Sequence, residues 1–187
     1  MVADTIVCCA EIKDIPDILE MQNSFLLKNK TIRAAEKDGF VVYPIYENEL
    51  RELISSNYCF LVVARSNERV VGYALAYDLN TWKKIKKKWD KHSFLPIFVK
   101  EHLSADRVLY FRQIVRDNNF KGVGNRLEEE VYSVARSKGF KFVVAEILES
   151  PLLNKKSKEV HEEEGYVKIG CADYFDGNFW GLYEKKL

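Results

Sequence analysis

Apolar residues along the first half of the chain recur at the spacings of strands and amphipathic helices. They predict a strand, two helices and two further strands, at residues 6–10, 15–25, 47–56, 58–64 and 70–77. Asp14 is expected to cap the first helix. That helix tolerates Pro16 because the first turn leaves the residue's N–H unbonded in any case. The polar residues 66–69 predict a hairpin turn between the two later strands.

The second half predicts a strand, a glycine-containing loop, a helix, a strand, a further helix and two final strands. The corresponding segments are residues 108–115, 117–126, 127–136, 141–147, a helix that ends at Gly165, 166–172 and 178–184. About seven strands in one chain of 187 residues, without repeats or low-complexity linkers, favour a single domain over residues 1–187.

An insertion of about 30 residues, 78–107, separates the two halves. Its many lysines are interleaved with Trp82 and Trp89, which could indicate a basic patch for nucleic acid or an acidic partner. The favoured interpretation is an amphipathic helix, because Trp82, Ile85 and Trp89 fall at i, i+3 and i+7 and the lysines occupy the other face. A further hypothesis is that the insertion covers an acceptor site.

The loop after the fourth predicted strand carries the most informative chemistry. Gly122 and Gly124 stand one residue apart where the chain enters a helix. Glycine lets the backbone pass close to a ligand, and the unbonded amides of a helix N-terminus attract phosphate. The loop therefore predicts a phosphate or pyrophosphate site, with an ordinary turn as the alternative.

Two familiar glycine motifs fit this loop poorly. In a P-loop the lysine follows the second glycine, whereas Lys121 precedes Gly122 and no Ser or Thr stands where magnesium would be held. A Rossmann motif would need a third glycine, but Leu127 stands there. Only 63 residues follow Gly124, too few for most of a doubly wound sheet.

A second motif follows the strand over 141–147. Asn154, Ser157, His161, Gly165 and Tyr166 have the spacing N-x-x-[AS]-x-x-x-[Y]-x-x-x-G-[FY], with His161 at the tyrosine position. This resembles a signature of the GCN5-related N-acetyltransferase (GNAT) superfamily. Asn119, Gly122 and Gly124 similarly resemble its other signature, [QR]-x-x-G-x-G/A, about thirty residues earlier.

The resemblance implies an α/β (α+β) fold, with a mixed, mostly antiparallel central sheet of about seven strands and helices on both faces. It also implies acetyl-CoA as co-substrate, with the Ile114 and Val115 backbone pairing with the pantetheine arm and Asn154 bonding its amides. The implied cofactor-binding residues are Ile114, Val115, Asn119, Phe120, Lys121, Gly122, Val123, Gly124, Asn125, Arg126, Asn154 and Ser157. Lys121 and Arg126 would add charge at the pyrophosphate, and Asn154 is also the expected N-cap of the last helix.

The implied reaction moves an acetyl group directly to a primary amine of a small molecule or peptide. An amine arrives protonated, because its pKa lies near 10.4, so it needs a base. Glu146 is the first candidate, and Glu149, Glu47 and Tyr110 are weaker ones. His161 stands where the family commonly has a tyrosine acid. It is either a substitute acid, with an ordinary pKa of about 6.5 against about 10 for tyrosine, or a helix-surface residue. The alternative function is a non-catalytic acyl-CoA-binding regulatory module.

Composition bears on the partners, the location and the metal binding of the protein. The net charge of +1 gives no global attraction to nucleic acid or anionic lipid. No apolar run approaches the roughly 20 residues of a membrane span, which predicts a soluble cytoplasmic protein. Adjacent Cys8 and Cys9 would face opposite sides of a strand, so no metal site is expected, and Cys59 and Cys171 are expected to be buried or half-buried thiols like them. The sequence leaves monomer and homodimer open.

Overall fold

The structure is a computed structural model that describes residues 5–56, 59–81, 108–174 and 177–187. Its seven strands are β1 (Ile6–Cys9), β2 (Cys59–Ser66), β3 (Arg69–Asp78), β4 (Val108–Arg116), β5 (Phe142–Ser150), β6 (Val167–Tyr174) and β7 (Asn178–Lys186). The α-helices with described bounds are α1 (Ile15–Phe25), α2 (Ile32–Asp38), α3 (Glu47–Ile54), α4 (Val123–Ser137) and α5 (Lys155–Glu163). Short 3-10 turns over Ile12–Asp14 and Leu27–Asn29 flank α1.

The seven strands form one sheet in the order β1-β2-β3-β4-β5-β7-β6. Every pair is antiparallel except β4 with β5, which run parallel and are connected by α4. This is the predicted mixed, mostly antiparallel sheet, and all seven predicted strands are present. The one parallel pair lies at the centre of the sheet, where both strands have a neighbour on each side.

Alternation along β3 separates the core into two layers. Tyr73 and Leu75 pack with the helices of the first half, in a cluster that contains Ile15, Ile18 and Leu50. Ala74 and Ala76 face the other side, where α4 packs with Leu127, Val131 and Ala135. Ile15, Ile18, Leu19 and Phe25, the apolar residues predicted to face the core from α1, all belong to or pack against the first layer. Helices therefore cover both faces of the sheet, as strands with two buried faces require.

Three details of the predicted elements are wrong. The helix α2 was missed, because its seven residues carry a short apolar pattern in which Ile32 is exposed. Asp14 holds the N-cap position of α1 but makes no capping bond, because its carboxylate accepts from the Glu11 amide and from Arg65. The helix α4 begins at Val123 rather than at 127, so Gly124 lies in its first turn.

The hairpin prediction is confirmed. Ser66 pairs with Arg69 at the end of β2 and β3, so the turn has two residues. Asn67 and Glu68 have φ of 49° and 65°, the left-handed region that two-residue hairpin turns use.

The cysteine prediction is partly wrong. Cys8 is half-buried, but Cys9 and Cys171 are exposed. Cys9 lies on β1 and Cys171 on β6, the two edge strands of the sheet, each of which has a neighbouring strand on one side only. The side chain of Cys59, and the lysine- and tryptophan-rich segment over 82–107, lie outside the described residues.

Gly72 lets α4 approach the sheet closely, which provides a test of this packing. A Cβ at position 72 would meet Leu127 Cδ1 and Val123 Cγ1 at 3.0 Å and the Val115 carbonyl oxygen at 3.2 Å. We expect Gly72→Ala to lower the free energy of unfolding by about 1–3 kcal/mol, the usual cost of overpacking. Urea unfolding measures this.

The matched control is Gly170→Ala on the edge strand β6. There the nearest heavy atom to an added Cβ is Leu182 Cδ1 at 3.9 Å, an ordinary contact distance. Its unfolding free energy is expected to stay within about 0.5 kcal/mol of the parent. Equal stability of the two variants would contradict the close approach of α4.

Candidate cofactor and acceptor site

The site begins where β4 and β5 part. Their parallel ladder runs only from Val108 with Phe142 to Phe111 with Ala145, although β4 continues to Arg116 and β5 to Ser150. Beyond the ladder, β5 keeps β7 as its partner and β4 keeps β3. A bulge at the same place, with Phe111 opposite Ala76 and Gln113 opposite Leu75, makes Arg112 the extra residue and turns β4 away. The β5-facing backbone edge of β4 is therefore open to a ligand.

Two adjoining cavities occupy this opening. The first, of about 90 Å³, lies towards Glu146, Tyr110 and Trp180, and the second, of about 170 Å³, lies towards the N-terminus of α4. Six residues line both cavities: Phe40, Val41, Ile114, Asn154, Ser157 and His161. Four predicted site residues, Ile114, Asn154, Ser157 and His161, are thus brought together at the junction of the two cavities.

The glycine turn presents the N-terminus of α4 to the second cavity. Gly122 is the N-cap residue, with φ of 77°, and a Cβ there would meet no heavy atom within 4 Å. Its carbonyl accepts from the Arg126 amide as the first helical bond, so the amides of residues 123–125 have no partner within the helix. Gly124 and Asn125 line the cavity itself, and Val115 lines it from β4.

The side chains of the other predicted loop residues lie elsewhere. Asn119 is exposed, its amide bonds to Asp117 Oδ1 at 2.9 Å, and it lines a separate groove. Lys121 is exposed, and Arg126 donates to the hydroxyl and carbonyl oxygens of Thr5. Phe120 and Val123 pack in the core layer under α4.

The cations that line the second cavity come from three other elements. They are Lys37 of α2, Arg116 of β4 and Lys156 of α5. Sequence reasoning missed all three, because each stands outside the two motifs or at one of their unspecified positions. Together they supply positive charge near the α4 N-terminus, where an anionic ligand is favoured.

Asn154 joins α5 to the segment that follows α2. It is the N-cap of α5, as predicted, and its Oδ1 accepts from the Ser157 amide at 3.3 Å. Its Nδ2 donates to the Phe40 carbonyl at 2.9 Å. The residue is 8% exposed, and its bond to the Phe40 carbonyl is buried. Asn154 thus fixes one wall of both cavities.

The segment 39–43 forms much of that wall and was not predicted. Gly39 has φ of 76°, and the residues after it turn into the opening between β4 and β5. The Tyr43 carbonyl accepts from Gln113 Nε2 at 2.9 Å, and its ring stacks on Trp180 with centroids 5.8 Å apart. The apolar run Phe40–Tyr43 directly after a glycine was the signal that could have indicated a buried, structured connection.

His161 is buried, with 4% of its surface exposed, which excludes the helix-surface interpretation. Its Nδ1 lies 2.7 Å from the Ser157 carbonyl oxygen, which can only accept, so Nδ1 carries a proton and Nε2 is left to exchange one. The ring packs edge-on against Tyr166, with centroids 4.8 Å apart. Burial lowers the pKa of His161, while the Ser157 carbonyl and Glu164 act in the opposite direction.

Glu146 and Tyr110 form a hydrogen-bonded pair in the first cavity. The Tyr110 hydroxyl donates to Glu146 Oε2 at 2.6 Å, across the two strands where they part. Burial, together with the Glu146 charge, raises the pKa of Tyr110, so this hydroxyl stays protonated as a donor. Of the weaker base candidates, Glu149 is bonded to Lys168 and Tyr183, and Glu47 is paired with Arg51.

Glu128 is a buried carboxyl that sequence reasoning missed. It lies one turn after Gly124 on α4, lines the second cavity, and is 1% exposed. Neither of its carboxyl oxygens has a hydrogen-bond partner among the described residues. Burial raises the pKa of Glu128 to about 7; Glu164 adds to this and Lys185 opposes it.

Comparison with solved structures identifies the fold. Ard1 from Thermoplasma volcanium superposes with a TM-score of 0.67 at 13% identity, covering 98% of this chain and 97% of that one. The ribosomal-protein-S18-alanine N-acetyltransferase from Escherichia coli gives 0.62 at 12%, covering 98% and 94%. The putative acetyltransferase yncA from Salmonella typhimurium, solved with its cofactor acetyl-CoA, gives 0.64 at 14%, covering 99% and 95%. The chain therefore has the fold of the GNAT superfamily.

No family model matches the sequence, and no curated protein matches it. Within the described ranges, no helix has the length and apolar character needed to cross a membrane. In the same ranges, no three His, Cys, Asp or Glu side chains are grouped to hold a metal ion.

The buried carboxyl of Glu128 predicts a pH-dependent stability. Its pKa is about 7 in the folded state against an ordinary value of 4.5, so the folded chain binds the extra proton between these values. The stability that this proton contributes is fully present below pH 4.5 and is lost as pH rises through 7. The gap in unfolding free energy, Glu128→Gln minus parent, should therefore grow by roughly 3 kcal/mol from about pH 4.5 to about pH 8. Denaturant unfolding at both pH values measures it; a gap that does not change with pH would contradict the raised pKa.

Proposed function

We propose that this protein is an acetyl-CoA-dependent N-acetyltransferase that moves an acetyl group to a primary amine of a small molecule or peptide. The observation that carries the proposal is the continuous opening from the parted strands β4 and β5 to the N-terminus of α4. Such a transfer needs a surface that binds the pantetheine arm, a site for the pyrophosphate and a base for the amine. The open strand edge, the helix N-terminus and the Glu146 carboxylate in the adjoining cavity match these three needs. The GNAT fold of the chain supports the same function.

The proposed cofactor site uses three kinds of contact. The backbone at Ile114 and Val115 pairs with the amide-bearing pantetheine arm, as an added strand pairs with an open sheet edge. The amides of residues 123–125 bind the pyrophosphate, aided by the positive end of the helix dipole. Asn154 and Ser157 line the path between these two contacts. Lys37, Arg116 and Lys156 take over the charge that the sequence assigned to Lys121 and Arg126.

In the proposed reaction the amine binds in the first cavity. Glu146, held by Tyr110, accepts the proton that the ammonium must lose before its nitrogen can attack the thioester carbon. As the C–N bond forms, the nitrogen gives up its second proton to water, the C–S bond breaks, and the departing thiolate needs a proton. His161 donates it from Nε2 when the ring is an imidazolium, and the Ser157 carbonyl fixes the ring through Nδ1.

The second candidate function is a non-catalytic acyl-CoA-binding regulatory module. The environment of His161 favours it, because burial lowers the pKa of this residue and so reduces the imidazolium that could act as acid. This candidate requires the same cofactor site but no turnover.

The first test is acetyl-CoA binding, measured by isothermal titration. We expect the parent chain to bind in the micromolar range and Gly124→Glu to bind at least about 100-fold more weakly, a loss of roughly 3 kcal/mol. The added carboxylate would stand in the first turn of α4, where it would repel a pyrophosphate and occupy its site.

The matched control is Ser133→Glu, which adds the same charge at an exposed position of the same helix. It should bind as the parent does. Absence of binding to the parent would overturn both candidate functions, and equal losses in the two variants would show that the charge acts at long range rather than at the site.

The second test is the pH profile of amine-dependent thiol release. Glu146→Gln should lower kcat by about 10²-fold or more, the usual contribution of a general base.

Because His161 acts as imidazolium, the parent rate should fall as pH rises through its lowered pKa. His161→Tyr should move this descending limb towards the ordinary tyrosine pKa of about 10.

The control for the kinetic test is His161→Phe, which keeps an aromatic ring against Tyr166 but has no proton to give. It should lose about 10²-fold in kcat while acetyl-CoA affinity is unchanged. A parent-like rate in His161→Phe would remove His161 from the mechanism. Acetyl-CoA binding without thiol release by any amine would favour the regulatory module.

A further inference from the structure

Glu128 is unusual among the buried residues of α4. The others that share its buried side are Val123, Leu127, Val131, Tyr132 and Ala135. A carboxyl in this position loses its hydration, and neither oxygen recovers a hydrogen bond within the described residues. Such a group ordinarily costs stability, so its presence at the wall of a cavity calls for a ligand that can satisfy it.

Glu128 lines the second cavity, next to the N-terminus of α4 where the pyrophosphate is proposed to bind. It lies four residues after Gly124, so the two residues stand one above the other on the same face of the helix. Gly124, Asn125, Val160 and His161 line the same cavity. A ligand that extends from the α4 N-terminus to His161 therefore passes Glu128.

The charged and titratable groups around Glu128 come from four elements. They are Tyr132 of α4, Glu164 at the end of α5, Tyr166 before β6 and Lys185 of β7, and His161 of α5 lines the same cavity. The one nearby cation among them, Lys185, is engaged by Glu164 at 3.2 Å and lies over the Tyr132 ring. The two tyrosine hydroxyls bond to each other at 2.8 Å. Lys37, Asp38, Arg116 and Lys156 line the same cavity. Burial is nevertheless the largest effect on the pKa of Glu128, with Glu164 adding to it and Lys185 opposing it.

We propose that Glu128 is a cofactor-binding residue that is protonated in the complex and donates a hydrogen bond to an acceptor oxygen of the acyl-CoA, so that binding takes up a proton. This rests on the proposed function. An ionised Glu128 would repel the anionic ligand and could only accept, whereas the carboxylic acid can donate to a phosphate or amide oxygen. The bound anion and the displaced water both favour the neutral acid further.

The consequence is a pH-dependent affinity of known sign. In the free protein burial raises the pKa of Glu128 to about 7, and the ligand raises it further. Below pH 7 the acid is protonated in both states, and the Kd does not depend on its titration. Above pH 7 the free protein must first take up a proton, so the Kd increases by up to about tenfold per pH unit until the pKa of the complex is reached.

The experiment measures the Kd of coenzyme A from pH 6 to 9 for the parent, Glu128→Gln and Glu129→Gln. The parent and Glu129→Gln, an exposed carboxylate on the same helix, should weaken together above pH 7. Glu128→Gln should keep the affinity of the parent at pH 6.5 and lack this weakening. The phosphates of the ligand and His161 titrate in all three proteins, so their contribution cancels in the comparison.

Titration in buffers of different ionisation enthalpy counts the protons directly. At pH 8 the parent should take up close to one more proton per bound ligand than Glu128→Gln. Glu128→Leu, which keeps apolar packing but has no donor, should bind about tenfold more weakly than Glu128→Gln at every pH, the cost of one lost hydrogen bond. Tight binding with the same pH dependence and proton count in the parent and Glu128→Gln would overturn this inference and leave the proposed function standing. Failure of the parent to bind coenzyme A would overturn both.

Discussion

The parting of β4 from β5 is the constraint on which the rest of the structure depends. Four residue pairs hold the two strands together, and after Phe111 and Ala145 each strand keeps only its antiparallel partner. Backbone amides and carbonyls must be satisfied when they are buried, so an opening within a sheet lasts only where water or a ligand can reach it. The bulge at Arg112 places the opening at the middle of the sheet, between the two halves of the chain. The residues of the proposed site are those that line the two sides of this opening.

The opening needs rigid walls, and these come from distant parts of the chain. Asn154 bonds Phe40 across 114 residues, and Gln113 bonds Tyr43 across 70. Gln22, buried inside α1, makes reciprocal hydrogen bonds with the backbone of Ile45 and so fixes the end of the same segment. Three side-chain amides thus hold the stretch from Phe40 to Ile45, which has little regular structure of its own. Amides suit this role because each can donate and accept at once.

How far the sequence predicts this protein depends on how local each signal is. The strands followed from alternation, and the Asn154 cap and the glycine-containing turn before α4 followed from short-range chemistry. The bulge at Arg112 and the wall formed by 39–43 could not be predicted, because both depend on what packs against them. The cations of the second cavity show the same limit: Lys37, Arg116 and Lys156 meet only after the sheet has formed. Glu128 is an intermediate case, since its place beside Leu127, Val131 and Tyr132 already put a carboxyl on the buried side of a predicted helix.

Helix α4 shows how one element serves both the core and the site. Its first turn contains Gly124, which leaves the backbone open to close approach but costs helix stability. Its later turns recover that stability by packing Leu127 and Val131 against the small residues of β3. Glu128 falls between these two regions. An apolar side chain at this position would extend the packed stripe of α4. It would also avoid the cost of removing a carboxyl from water. A buried carboxyl with no hydrogen-bond partner among the described residues is thus a local departure from what stability alone would select, and such departures are typical of functional sites.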